Sequence, residues 1–313
     1  MRQVLFIKTS SLGDVIHHMP ALADAKRQFP QARFGWVVEE AFAPLVRLHP
    51  LVDDVIVVAT RRWRLHPLQG ATWRDIARFR RELRANAFDR VIDSQGLIRS
   101  AIIARLARGE HHGFDVASIR EGLAAQLYDC RHHVPRSLHA IARNRALTGL
   151  ALGYTPTADV DYGLPRSGDQ RQPRAVLLHG TSRPTKEWSE TEWIALGRWL
   201  SAHGLEILLP WGSEPERQRA GRLSRAIPNA HVPEYLSLDR MAPLIASAAL
   251  VVGVDTGLLH LAAAYNVPLV GVFLSSDPTL TGPVSAAALE TLGGPHQQPR
   301  ASDAIAAVER VLG

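Results

Sequence analysis

Short apolar runs alternate along the chain with longer amphipathic stretches. In the first half, Val4–Lys8, Arg33–Val38, Asp54–Val58 and Arg90–Ser94 read as strands. Helical patterns fill the intervals: one to about Arg27, then 40–48, 73–86 and 97–108, with two more at about 119–128 and 137–150. Short strands bounded by helices predict βαβ units on a parallel sheet. Residues 153–173 (GYTPTADVDYGLPRSGDQRQP) break this rhythm with the composition of a linker. The alternation then restarts. Strands are predicted at Ala175–His179, Glu206–Leu209, Leu250–Val254 and Leu269–Phe273, and helices at Glu190–Ala202, Glu214–Ala226, 238–247, 257–265 and about 302–312. The expected fold is α/β, with two Rossmann-like, doubly wound domains facing across a cleft. Their expected extents are residues 1–160 and 161–313.

At 313 residues the chain suits two domains of roughly 100–200 residues each. Cys130 is the only cysteine, so no intramolecular disulfide forms and no Cys-based zinc or iron–sulfur site is expected. No apolar run reaches the roughly 18 residues of a membrane span. The longest candidate, Ile245 to Val254, stops at Asp255. The opening MRQVLFIKTSS is ended by Lys8 and reads as a strand, not a signal peptide. The expectation is a cytoplasmic protein whose membrane contact is peripheral.

Charge sharpens the picture. The net charge is +6, from 36 basic and 30 acidic residues. Residues 1–150 hold 23 basic and 14 acidic residues, net +9, whereas 151–313 hold 13 and 16, net −3. The first half is therefore expected to meet an anionic partner. Only Lys8, Lys26 and Lys186 are lysines.

Five segments carry candidate chemistry. Lys8–Leu22 (KTSSLGDVIHHMPAL) follows the first strand and opens the first helix. Ser10, Ser11 and Gly13 offer donors there, and Asp14 fits a helix cap and a catalytic base alike. Leu177–Trp188 (LLHGTSRPTKEW) ends a strand in a loop rich in donors, including Thr181, Ser182 and Lys186, which suits a phosphate. Val251–Phe273 runs from strand into Asp255-Thr256-Gly257 and a helix carrying His260. The amides of Thr256, Gly257 and Leu258 at that helix start form an anion site. In Leu209–Ala220 (LPWGSEPERQRA), Glu214 and Glu216 follow a strand end, where carboxylates hold ribose hydroxyls or simply favour a helix start. Finally, eight arginines fall between Arg61 and Arg84. Of these, Arg61, Arg62 and Arg64, read as a loop after a strand end, are the functional candidates, with Arg120 a weaker one. Asp159-Val160-Asp161 lies in the linker and reads as a chance DxD. His111/His112 and His132/His133 are adjacent pairs without the spaced ligand set of a metal site.

Together KTSSLGDVIHHMPAL, FDRVIDSQGLIRSA, HGTSRPTKEW and VDTGLLHLAAA resemble the ADP-heptose:lipopolysaccharide heptosyltransferases, glycosyltransferase family 9, over nearly the whole chain. The SLGD turn, VIDSQGLIRSA and GFDVASIREGLAAQLYD resemble the type I branch more than type II. The resemblance implies a GT-B glycosyltransferase with an N-terminal acceptor domain and a C-terminal donor domain, its last helix a candidate to pack back on the first. It implies inverting transfer of L-glycero-D-manno-heptose from ADP-heptose to the first Kdo of Kdo2-lipid A, at the inner face of the cytoplasmic membrane, with no metal or other cofactor.

In the roles this resemblance implies, Asp14 is the general base and Lys186 steadies the leaving diphosphate. Thr181, Ser182, Thr256, Gly257 and Leu258 supply hydroxyl and amide donors, and Asp255 and His260 shape the sugar and diphosphate site. Glu216, with Glu214 as alternative, holds the ribose, and Leu236 packs on adenine. Arg61, Arg62, Arg64 and Arg120, together with Ser10, Ser11 and Gly13, meet the acceptor. The rival readings are a type II or later core transferase, a sugar-nucleotide epimerase of the same fold, and a nucleic-acid binder. No nucleic-acid motif supports the last.

Overall fold

The computed structural model describes residues 1–165, 171–181, 183–295 and 297–313. The chain divides into two units, Met1–Gly163 and Leu164–Gly313.

The first unit contains β1 (Gln3–Ile7), α1 (Leu12–Gln28), β2 (Arg33–Glu39), α2 (Ala43–Arg47), β3 (Asp54–Val58), α3 (Thr60–Leu65), α4 (Gly70–Ala85), β4 (Ala87–Asp93), α5 (Ile98–Leu106), β5 (Arg108–Phe114), β6 (Cys130–His132) and α6 (Ala140–Leu152). Its parallel sheet has the order β3-β2-β1-β4-β5-β6. β1 lies in the middle, which is why Val4–Ile7 is a continuous apolar run with no exposure. Leu5 and Ile7 pack with Val37, Val58 and Val91 under Phe79 and Leu83 of α4. Phe6 faces the other way, against His18 of α1 and Trp36.

The second unit contains β7 (Gln172–Leu178), α7 (Glu190–Ala202), β8 (Glu206–Leu208), α8 (Glu214–Ala226), β9 (Ala230–His231), α9 (Leu238–Ala246), β10 (Ala248–Val254), α10 (Gly257–Ala264), β11 (Leu269–Phe273), α11 (Pro278–Thr281), β12 (Leu289–Gly293) and α12 (Ala301–Leu312). Its sheet is parallel too, in the order β12-β11-β10-β7-β8-β9. The apolar stripe of α12 (Ala304, Ala307, Val308, Val311) is used within this unit's core, against α7, β11 and β12. Gly253 and Gly271 admit α10 onto the sheet, since a Cβ on either would meet Leu259 at 3.2 or 3.1 Å.

Both sheets run 3-2-1-4-5-6 in the order their strands occur. The order reverses between the first and fourth strands, and ligands of such sheets bind outside the carboxyl ends there. Those ends are Ile7 and Asp93 in the first unit, and Leu178 and Val254 in the second.

Two expectations are corrected. The RRWR segment is not a loop: Arg61, Arg62 and Arg64 lie on α3. The buried Glu39 carboxylate caps that helix, accepting from Thr60 Oγ1 (2.8 Å) and the Arg61 amide (3.0 Å). The stretch 119–128 forms a 3-10 turn, Gly122–Leu127, rather than an α-helix. Glu121 pins its start, with its amide on the Gly96 carbonyl and its side chain on the Ile98 amide.

Candidate active site

In the first unit a cavity of about 190 Å³ opens where the strand order reverses. Lys8, Ser94 and Gln95, beyond the ends of β1 and β4, line it together with Asp14 and with Arg120, Arg136 and Arg143. Gln95 Oε1 shapes the turn by accepting the amides of Thr9 (3.1 Å) and Ser10 (3.2 Å). Ser11 caps α1. Its amide and hydroxyl both donate to Asp14 Oδ2, at 2.8 and 3.0 Å, so Asp14 caps the helix and faces the cavity at once.

The cavity is strongly cationic. Lys8 is buried and donates to the Ser94 carbonyl (2.8 Å) and Asn144 Oδ1 (3.4 Å). Burial pushes its ammonium below the ordinary lysine range, against the pull of Asp14 and Asp93. Arg143 lies over the Phe114 ring at 4.7 Å, and burial with the charge of Arg136 lowers it too. Beneath the cavity, burial raises the Asp93 carboxyl, which accepts the Tyr128 hydroxyl at 2.7 Å.

The structure gathers the other predicted first-half residues only in part. Arg120 lines the cavity. Ser10 is buried at its edge, within 3.5 Å of Arg99, and Gly13 lies in the first turn of α1. Arg61 and Arg64 are exposed on α3. Arg62 is held by Glu40 (3.2 Å) and Asp75 (2.8 Å), and those hydrogen bonds raise its guanidinium further above the ordinary range.

In the second unit the donor-rich loop after β7 meets the turn after β10. Lys186 is ion-paired with Asp255. Ser276, beyond β11, donates to the same carboxylate at 2.6 Å, and Thr181 Oγ1 donates to the Asp255 carbonyl at 3.3 Å. Burial pushes the Asp255 carboxyl up, but Lys186, Ser276 and the charge of His260 outweigh it and hold the group below the ordinary range. Thr256 caps α10 without a side-chain bond. The amides of Gly257 and Leu258 therefore open a helix start with no intrahelical partner, next to the lysine. His260 is buried one turn further on. Ser182 lies outside the described residues.

Glu216 and Glu214 part company here. Glu216 accepts the Gly212 amide at 2.7 Å, and a Cβ on Gly180 would lie 2.6 Å from its carboxyl carbon. Glu216 therefore faces the loop after β7. Glu214 points to Arg217 and Gln218 along α8. Leu236 is half-buried ahead of α9, beyond the end of β9.

Asp161 of the DxD accepts from Arg27 (3.2 Å) and the Gly163 amide (2.9 Å), a tie within the first unit. One potential metal cluster does exist among the described residues: Glu110, His112 and Cys130. Spacing along the chain hid it, because the pairing of β5 with β6 is what brings these residues together. Sequence reasoning also passed over Lys8 as a cavity residue, and Gln95, Arg136, Arg143 and Ser276. The scarcity of lysine that singled out Lys186 applies equally to Lys8, and Ser276 follows a predicted strand end.

The glycosyltransferase family 9 (heptosyltransferase) model matches residues 76–304. The chain belongs to this family. It is 45% identical over 289 residues to lipopolysaccharide heptosyltransferase 1 of Pseudomonas aeruginosa, spanning 90% of this chain and 81% of that one. The solved structure of E. coli heptosyltransferase WaaC with ADP superposes with a TM-score of 0.92 at 38% identity, over 98% of this chain and 99% of that chain. The same enzyme with ADP-2-deoxy-2-fluoro heptose gives 0.90 at 38%, with the same coverage. The two parallel six-stranded units are thus the GT-B fold of this family. No described helix is long and apolar enough to cross a membrane.

Proposed function

We propose that this family 9 enzyme is a heptosyltransferase I. It moves L-glycero-D-manno-heptose from ADP-L-glycero-D-manno-heptose to the first Kdo of Kdo2-lipid A, with inversion and without a metal. The observation that carries this reading is a carboxylate, Asp14, set in a cavity ringed by Lys8, Arg120, Arg136 and Arg143. A sugar acid with a nucleophilic hydroxyl suits that combination, because the cations take its carboxylate while Asp14 takes its proton. The similarity to heptosyltransferase 1 of P. aeruginosa over 90% of the chain supports the same acceptor.

In this mechanism the Kdo hydroxyl gives its proton to Asp14 as its oxygen attacks the anomeric carbon. The bond from that carbon to the diphosphate oxygen breaks on the opposite face. Lys186, Thr181, Ser182 and the amides of Thr256, Gly257 and Leu258 take up the charge on the leaving ADP, the part a metal plays elsewhere. Asp255 positions Lys186, and His260 supports Asp255. Glu216 holds the ribose and Leu236 packs on adenine.

Membrane association at the cytoplasmic face would follow from the segment joining α3 to α4. Leu65, Leu68 and Trp73 are 75, 96 and 62% exposed, among Arg61, Arg64, Arg74 and Arg78. Apolar tips within a basic surface suit an anionic bilayer.

The deciding assay is ADP release from ADP-heptose in excess EDTA, with and without Kdo2-lipid A. Release that requires the acceptor, with heptosylated product, is the expected result. Release only with an acceptor that already carries heptose would assign the type II reaction instead. No release with either acceptor would overturn the transferase reading.

A further inference from the structure

At one edge of the first sheet lies a side-chain array for which the transfer reaction has no use. β5 and β6 run parallel, with His112 opposite Cys130 and Phe114 opposite His132. Alternate residues of a strand share a face. Glu110 and His112 therefore project from one face of β5, and Cys130 and His132 from one face of β6. The polar atoms of Glu110, His112 and Cys130 converge, and His132 backs His112 from its other ring nitrogen. Cys130 Sγ lies 3.6 Å from Glu110 Oε1, and His112 Nε2 lies 3.1 Å from Glu110 Oε2. His112 Nδ1 is 2.9 Å from His132 Nε2, with the two rings stacked. One donor atom each from Glu110, His112 and Cys130 lies within 4.8 Å of the others.

Thiolate, imidazole and carboxylate are the three ligand types of protein-bound zinc, at about 2.0–2.3 Å from the ion. Tetrahedral geometry then places neighbouring donor atoms about 3.3–3.8 Å apart. The separations here bracket that range, so small side-chain movements would close the array on an ion. Arg90 pairs with Glu110 at 2.6 Å and fixes the carboxylate from outside, as an outer-shell partner does. None of the four residues lines the Asp14 cavity.

We propose that Glu110, His112 through Nε2, and Cys130, with water completing the shell, bind a divalent transition-metal ion of the zinc type, fastening the three-residue edge strand β6 to β5, while His132 orients His112 from its Nδ1 side. On binding, the Cys130 thiol loses its proton to solvent and its sulfur bonds the ion, with no change of oxidation state. The role is structural, so it leaves a metal-independent transfer reaction possible.

The test uses the full chain, stripped with chelator and desalted, with cobalt(II) as optical probe. One equivalent is expected to give a thiolate-to-cobalt charge-transfer band and the strong visible bands of a four-coordinate ion, both displaced by zinc. Saturating zinc, at about 100-fold above Kd, is expected to raise the melting temperature of the first unit by roughly 5–10 °C. Cys130→Ser should abolish the charge-transfer band. If that variant fails to fold, Glu110→Gln and His132→Gln should keep the band but weaken cobalt binding by about tenfold or more. No charge-transfer band at about 100 µM cobalt would overturn the proposal. So would a band that persists in Cys130→Ser, or an affinity that neither of the other variants changes.

Discussion

Ser11 gives both its amide and its hydroxyl to a single oxygen of Asp14, Oδ2, at 2.8 and 3.0 Å. Oδ1 is the oxygen these bonds leave for a substrate proton. Asp14→Asn keeps the shape of the cap but loses the base. It is expected to lower kcat by about 10²–10⁴ with ADP-heptose affinity unchanged. Ser11→Ala keeps the amide bond and should cost only a few-fold, about 1 kcal/mol of capping at most. Single-turnover assays beside donor titrations check both. Near wild-type turnover in Asp14→Asn would remove the base from the mechanism.

Lys186 stands 69 residues from its partner Asp255, yet the two meet where the second sheet reverses its order. Replacing the lysine by alanine removes a preset cation from the leaving group and should lower kcat by about 10²–10³. Arginine should restore little, because a planar fork does not fit where a compact ammonium is held. Steady-state kinetics at saturating donor would report this, and full activity in Lys186→Ala would contradict it.

Gly180 leaves room for the Glu216 carboxylate, since a Cβ there would come within 2.6 Å of it. Gly180→Ala should push Glu216 out of place and raise KM for ADP-heptose by about tenfold, roughly 1.4 kcal/mol. Glu216→Gln should act in the same direction, whereas Glu214→Gln should not. Calorimetric titration with ADP separates the three.

Acid should weaken the fold in a defined window. Burial lowers His49 to about 4, and burial with the charge of Arg219 lowers His179 to about 4. Unfolded histidines titrate near 6.5. Between those values the unfolded chain binds more protons, so stability is full above pH ~6.5 and falls as pH drops toward 4. His49 accepts the Leu51 amide at Nδ1 (3.3 Å) and donates from Nε2 to the Tyr162 carbonyl (2.8 Å). His49→Gln should lower stability at pH 7 yet flatten the loss between pH 6.5 and 4. Thermal melts across that range test this, and an unchanged slope would be the contrary result.

Leu68 is 96% exposed beside Trp73 on the basic α3–α4 segment. A Leu68→Asp/Trp73→Asp variant should bind anionic phospholipid vesicles at least about tenfold more weakly, with the residual binding steeply salt-dependent. Its turnover of a water-soluble Kdo acceptor should stay unchanged. Equal sedimentation with vesicles would place membrane contact elsewhere.

The central strands were legible because they are buried on both faces and their sequences are unbroken apolar runs: VLFI in β1, LVVGV in β10, LVGVF in β11. The edge strand β3 was legible too, as DVIVV, but β5 and the edge strands β6, β9 and β12 were not. RGEHHGF of β5 is stocked with ionisable residues, and β6, β9 and β12 are short or only partly buried. Their conformation is fixed by a neighbouring strand, which no local pattern records. The start of α3 depends likewise on Glu39, 21 residues earlier. At the candidate site, the strand-end rule found Asp14, Lys186 and Asp255. It could not find Arg136, Arg143 or Asn144, which reach the cavity from around α6, or the convergence of Cys130 on His112.

The pairing of Lys186 with Asp255 means that the ammonium proposed to meet the diphosphate already has an anion. In that role, incoming nucleotide would compete with a tethered carboxylate, and departing nucleotide would be replaced by one. On the proposed role of Lys186, Asp255 would act as an internal counter-ion, shortening the stay of spent ADP. Part of the possible grip on the nucleotide would then be given up for a faster return to the empty state.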